Sequence, residues 1–286
     1  MRNLTKRPDI TIDSVSTLAD WRLNVRICEK FQSGRIILTG DVAHIHSPTG
    51  GQGLTSGVVD VRNLSWKIAL VCKGLASPSL LDTYSEERVP VISEMLKITT
   101  KLARATFKAK PDADALKRPA NLGQLGVHCR WSSIVYDGLQ EGDVQFDSTN
   151  PEPPSTYGGG EDARLHAGDR APDAPGLVGP HGEAALFNIF NAARHTVLVF
   201  GSSRAAAVRA AVGKYPEGYI DVVILLPEGS SEKHEGALLD AQGHAYRGYG
   251  VEAGVAVAII RPDGVVGALL KAEDGVELYF SRIFSV

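Results

Sequence analysis

Apolar residues at Leu54, Val58, Val61, Leu64, Ile68 and Val71 recur at spacings of three and four and mark one face of a helix. The pattern predicts a helix over Leu54–Lys73 with Gly74 as its stop. A second helix is predicted over Ser79–Lys108, bent at Pro90. Ahead of both, the apolar run Arg35–Thr39 closes on Gly40-Asp41 and reads as a buried strand. The loop His44–Gly53, HIHSPTGGQG, joins that strand to the first helix. Farther on, His195–Gly201, Ile220–Leu226 and Val255–Ile260 are strand-like, and the Ala-rich stretch Arg204–Lys214 is helical. Arg261-Pro262-Asp263-Gly264 is a turn that leads into a hairpin partner, Val265–Leu270, and Glu273–Phe284 reads as a last helix.

These elements divide into two α/β regions, 1–148 and 164–286, the second a sheet flanked by helices. Between them, residues 149–163 read TNPEPPSTYGGGEDA, whose Pro and Gly density suits an exposed linker.

The 286 residues are 43% hydrophobic, enough for one large core or two modest ones. A net charge of −3 provides no basic field for a nucleic-acid backbone or an anionic membrane, so small molecules or proteins are the expected partners. No apolar run approaches the roughly 20 residues of a membrane span, and the N-terminus has no secretory h-region. Cys28, Cys72 and Cys129 are odd in number, far apart and not in a CxxC, which favours free thiols in a reducing, cytoplasmic setting.

The candidate chemistry sits between the predicted strand and the first helix. Gly50-Gly51-Gln52-Gly53 lets backbone approach a ligand closely, because three of its four positions lack a Cβ. The following helix start offers unpaired N–H groups and a partial positive charge. Asp41 at the strand end is placed to accept hydrogen bonds from ligand hydroxyls. The residues alone therefore suggest a site for a polyol joined to an anion, and the same Gly-rich turn also suits plain packing. His44 and His46, with Asp41, form the residue types of a 2-His-1-carboxylate metal site, and Ser203 is suited to capping the helix that follows it.

The wording GRIILTGDVAHIHSPTGGQGLTSGVVDVRNLSWKIA, over Gly34–Ala69, resembles the GD-containing segment of the group A flavoprotein monooxygenases, the phenol hydroxylase and para-hydroxybenzoate hydroxylase family. Leu80–Tyr84, Glu86–Pro90 and, upstream, Trp21–Phe31 are similar to the same family. Gly168–Pro172 and Val257–Gly264 resemble the thioredoxin-like domain appended to phenol hydroxylases, so the likeness covers nearly the whole chain. It implies the fold class: a partial FAD-binding domain with long helices, then a thioredoxin-like α/β domain that lacks CxxC.

The resemblance implies that Asp41 binds the ribityl chain of FAD, that the Gly40-Asp41 backbone faces the pyrophosphate, and that Pro48 lies close to the isoalloxazine. Gly50, Gly51, Gln52, Gly53 and Leu54 would form the loop and helix start against the flavin ring, and His44 and His46 would belong to that loop rather than to a metal. The implied activity is NAD(P)H-dependent hydroxylation of a phenolic or other aromatic substrate, including secondary metabolites. Val42, Val61 and Thr55-Ser56 depart from the family's usual wording. The dinucleotide fingerprint GxGxxG is absent from the chain. The expectation is a chain truncated at its N-terminus that binds FAD weakly, or only with a partner such as a homodimer mate or a full-length homologue. Two further readings stand beside it: a non-catalytic accessory subunit or remnant, and a repurposed cofactor-free isomerase or cyclase. With no CxxC and no cysteine after Cys129, dithiol chemistry by the second region is excluded.

Overall fold

The computed structural model describes residues 6–11, 13–19, 23–107, 120–140, 155–158, 164–180, 182–232 and 234–285. The first region opens with four short strands, β1 (Arg26–Ile27), β2 (Gln32–Ser33), β3 (Ile36–Ile37) and β4 (His44–Ile45). Strand β1 pairs antiparallel with β4, and β2 with β3. The buried strand expected over Arg35–Thr39 is thereby corrected. Gly34, at φ +56°, turns the chain back into the tight β2–β3 hairpin, and only Ile36–Ile37 pair. Ile36 is 69% exposed.

Two long helices follow, α1 (Gly53–Cys72) and α2 (Asp82–Thr106), joined through a 3-10 turn at Pro78–Leu81. Their bounds match the expectation closely, although Lys108 lies outside the described residues. Pro90 sits inside α2 and cannot donate to the carbonyl of Glu86. The Trp131 indole N–H takes that place, donating to Glu86 O at 2.9 Å.

The orientation of α1 is the main departure. Leu54, Val58 and Val61 are 84%, 57% and 53% exposed. The buried side carries Ser56, Asp60, Asn63 and Lys67 together with Leu64, Trp66 and Leu70. An amphipathic helix ordinarily buries its apolar stripe. Here the buried polar stripe is tolerated because each of its side chains finds partners: Gln124 at Ser56, His44 and Arg88 at Asp60, and Glu87 at both Asn63 and Lys67.

The second region supplies most of one eight-stranded sheet. After β5 (Tyr136–Asp137) come β6 (Leu177–Gly179), β7 (Gly182–Ala184), α3 (Leu186–Ile189), β8 (His195–Phe200), α4 (Ala205–Val212), β9 (Ile220–Leu226), β10 (Leu238–Asp240), α5 (His244–Gly248), β11 (Val257–Ile260), β12 (Val266–Leu270) and α6 (Gly275–Phe280). The order across the sheet is β5-β12-β11-β8-β9-β10-β6-β7. Strands β8 and β9 run parallel, whereas β11 is antiparallel to both β8 and β12. Strand β8 is buried throughout, so it reads as a continuous apolar run. Val197 and Val199 point into one core, Leu198 and Phe200 into the other.

The two regions share a core. Trp66, Leu70, Ala76 and Leu80 pack with α4, α6 and one face of the sheet, and β5 extends its edge beside β12. A third cluster, around Phe31, Tyr84, Ile92 and Met95, belongs to the first region and takes in Tyr157. Within the stretch expected to be an exposed linker, Thr156 and Tyr157 are thus buried, with Thr156 N and Oγ1 donating to Glu94 Oε2 at 2.6 and 2.8 Å. The last helix is shorter than expected, and α4 carries no side-chain cap, so Ser203 does not cap it.

Candidate functional site

The Gly40-Asp41 pair forms a one-turn 3-10 helix, Gly40–Val42, placed by Asp60 from α1. The Gly40 N–H donates to Asp60 Oδ2 at 3.2 Å, and His44 Nε2 meets the same oxygen at 2.6 Å. Arg88 Nε from α2 donates to Asp60 Oδ1 at 2.8 Å. Burial opposes ionisation of Asp60, but the His44 hydrogen bond and the Arg88 charge outweigh it and hold the carboxyl below its ordinary value. One buried carboxylate therefore fixes the turn, the His44 ring and α2 together. The packing is close: Gly57 lies against the turn, and a Cβ on it would meet the Gly40 Cα at 3.6 Å.

The Gly-rich loop is held from beneath by Gln52. Its amide nitrogen donates to Gly50 O at 2.7 Å and Leu122 O at 3.1 Å, and its oxygen accepts from Gln124 Nε2 at 2.6 Å. Thr49 Oγ1 donates to Thr99 O at 3.1 Å and ties the loop to α2. At Gly50, φ is +89° and a Cβ would lie 3.1 Å from Leu122, so the position needs glycine on both counts. The side chain of Gln52 is thus committed to the loop itself, leaving only its backbone for a ligand.

Asp41, Pro48, Gly51 and Leu54 are exposed, and Gly40, Gly50 and Gly53 are half-buried. Helix α1 starts without a side-chain cap, so its first N–H groups are available to a ligand. His46 is half-buried between this rim and His44, its Nε2 3.3 Å from His44 Nδ1 and 3.9 Å from where a Cβ on Gly53 would stand. These features suit a flavin cofactor: an exposed carboxylate for hydroxyls, an uncapped helix start for an electron-rich edge, and glycines that let the backbone approach. Among the described residues no group of three His, Cys, Asp or Glu side chains could hold a metal. His44 spends both ring nitrogens on Asp60 and His46.

Sequence reasoning missed Asp60 and Arg88. The signal was present in Ser56, Asp60, Asn63 and Lys67, a polar stripe at spacings of four, three and four along one helix face. A cavity of about 480 Å³ lies elsewhere, lined by Arg62, Cys129, Arg170, Phe187 and Phe190. None of the residues predicted for the flavin loop lines it. The loop itself is an open rim, and its chemistry, not its enclosure, makes it the candidate.

Residues 1–99 match the FAD binding domain family. The chain is 32% identical over 277 residues to a flavin-dependent monooxygenase of Mycobacteroides abscessus, covering 97% of this chain and 46% of that protein. It is 31% identical over 275 residues to the pentachlorophenol 4-monooxygenase of Sphingobium chlorophenolicum, covering 93% and 48%. In fold it is similar to the solved flavin-dependent monooxygenase PieE in complex with FAD and substrate, with a TM-score of 0.67 at 21% identity, over 92% of this chain and 49% of that one. The chain spans about half the length of the relatives it matches.

Proposed function

Because the chain is a homologue of the flavin-dependent monooxygenases, of which it spans about half, we propose that Gly40–Leu54 forms one part of an FAD site in an aromatic hydroxylase. The observation that carries this reading is the Gly40–Val42 turn, held by the buried Asp60 of α1, together with the uncapped start of that same helix. In this reading Asp41 receives the ribityl hydroxyls and the Gly40-Asp41 backbone lies toward the pyrophosphate. Pro48 lies against the ring, and the N–H groups that open α1 face the electron-rich edge of the isoalloxazine. FAD, reduced by NAD(P)H, supplies the oxygen-transfer chemistry when bound. The substrate class is a phenolic or polyketide-like aromatic. The free thiols Cys28, Cys72 and Cys129 suit a cytoplasmic setting, and no helix among the described residues is long and apolar enough to cross a membrane.

Affinity for a dinucleotide is spread over both of its halves, and this chain has no GxGxxG for the ADP half. We therefore expect FAD to bind weakly to the chain alone, and more tightly when a homodimer mate or full-length homologue completes the site. An FAD titration followed by flavin fluorescence, with and without candidate partners, tests this. Protein that purifies yellow with one equivalent of FAD refutes weak binding, and Asp41→Ala that binds FAD as the parent does refutes the ribityl assignment.

A further inference from the structure

His44 and His46 form a His-x-His pair within the loop. His44 is fully enclosed and His46 half so, and their rings lie edge to face with centroids 5.0 Å apart. We propose that Asp60, His44 and His46 form a proton relay that ends at the cofactor loop, with Asp60 and His44 as positioning residues and His46 Nδ1 as the atom that meets an N–H or O–H donor of the bound ligand. The inference rests on the FAD reading for the identity of that ligand; the relay itself rests on the geometry of this chain.

The hydrogen positions follow by elimination. Asp60 is a carboxylate and can only accept, so His44 Nε2 carries a proton toward Oδ2 at 2.6 Å. When His44 carries that proton alone, its other nitrogen, Nδ1, is the acceptor. The 3.3 Å contact to His46 therefore requires the His46 proton on Nε2. This leaves His46 Nδ1 as a bare acceptor, and it is buried with no hydrogen-bond partner among the described residues. A buried unpaired acceptor beside a candidate ligand loop calls for a donor from outside the described residues.

Protonation reverses the chain without loss of balance. A proton leaves the ligand donor and bonds to His46 Nδ1. The Nε2 proton of His46 passes to His44 Nδ1. His44 becomes an imidazolium held against the Asp60 carboxylate, and the ligand carries one proton fewer. The reverse transfer returns the proton. The charges that face the pair are Asp60 from α1, Arg88 from α2 on the far carboxylate oxygen, and Asp41 from the 3-10 turn. Burial, then the neighbouring His44, lowers the His46 pKa, while Asp41 and Asp60 oppose this.

Long-range proton–nitrogen correlation spectra of histidine-labelled protein read both tautomers directly, without a variant. The expected result at neutral pH is Nε2–H on both His44 and His46, with His46 Nδ1 unprotonated. His46 protonated on Nδ1, or His44 protonated on Nδ1 alone, overturns the relay. His46→Phe should leave the His44 tautomer unchanged, because Asp60 sets it; a tautomer switch there also overturns the order of the chain. Added FAD should shift the His46 Nδ1 resonance far more than Nε2, and His46→Phe should bind FAD about fivefold more weakly. Equal binding by His46→Phe with an unmoved Nδ1 removes the ligand end of the relay. If saturating FAD, added with a full-length homologue present, moves no loop resonance at all, the cofactor reading fails while the tautomers still decide the relay.

Discussion

Arg261 closes on Glu87 with two parallel hydrogen bonds, Nη1 to Oε1 at 2.7 Å and Nη2 to Oε2 at 2.9 Å, across a sequence separation of 174. Both side chains are almost wholly buried. Lys67 Nζ adds a bond to Glu87 Oε2 at 2.9 Å, Ser132 Oγ donates to Oε1 at 2.6 Å, and Asp263 pairs with the far side of Arg261. Burial alone would raise the Glu87 pKa, but Arg261 and Lys67 reverse this and hold the carboxyl well below the usual carboxylate range. The two cations and two carboxylates balance, and the cluster joins α1 and α2 to the turn between β11 and β12.

Removing the Glu87 charge leaves two buried cations against one remaining carboxylate. Glu87→Gln should therefore destabilise the chain by about 3–5 kcal/mol, measured by urea unfolding. The double change Glu87→Leu with Arg261→Met should cost clearly less than the sum of the two single changes. Additive costs would show that the pair does not couple the two regions.

His195 carries a second buried titratable group with the opposite behaviour. Its ring lies among Trp66, Tyr279, Phe280 and Phe284, and its Nε2 has no partner among the described residues. Burial, then the nearby Arg261 charge, lowers its pKa to about 3. The unfolded chain, titrating near 6.5, binds a proton that the folded chain refuses, so stability falls as pH drops below about 6.5 and continues to fall toward 3. From pH 7 to pH 5 this one group should cost about 2 kcal/mol. His195→Phe should remove that part of the slope in denaturant midpoints measured across the same range. An unchanged slope would place the acid sensitivity elsewhere.

Gln52 offers a way to loosen the candidate loop without touching a ligand directly. Replacing it with Ala strips partners from Gly50 O and Leu122 O beneath the glycines. The expected cost is about 2 kcal/mol in thermal or urea unfolding, together with weaker FAD binding in proportion to the disorder introduced. Full retention of FAD affinity in Gln52→Ala would mean that the loop is not a cofactor contact.

The sheet of the second region was legible because β8, β9, β11 and β12 are apolar runs bounded by turn residues, and each falls within two residues of expectation. The flavin-loop residues were legible as wording and as a glycine pattern. The Glu86–Pro90 and Val257–Gly264 segments are legible only as separate likenesses; nothing local says that Glu87 and Arg261 touch, because that contact depends on how the chain folds back. Periodicity misled at α1 for a related reason. It weighs apolar positions and has no term for a polar stripe whose partners lie far away in sequence. Buried Asp60 and Lys67 become acceptable only once Arg88, His44 and Glu87 are in place.

The orientation of α1 separates the two readings by mutation. If the apolar stripe were core, Val58→Lys would bury an unpaired charge and cost several kcal/mol. In the fold described here Val58 is exposed, so the substitution should change stability by no more than about 0.5 kcal/mol. Asp60→Leu, which the stripe reading would tolerate, should instead cost about 3 kcal/mol or more. It leaves Arg88 buried without its carboxylate, frees the Gly40 N–H and unhooks His44. Thermal unfolding of the two variants side by side decides the matter: a costly Val58→Lys with a benign Asp60→Leu would overturn the helix orientation, and with it the anchoring of the candidate site.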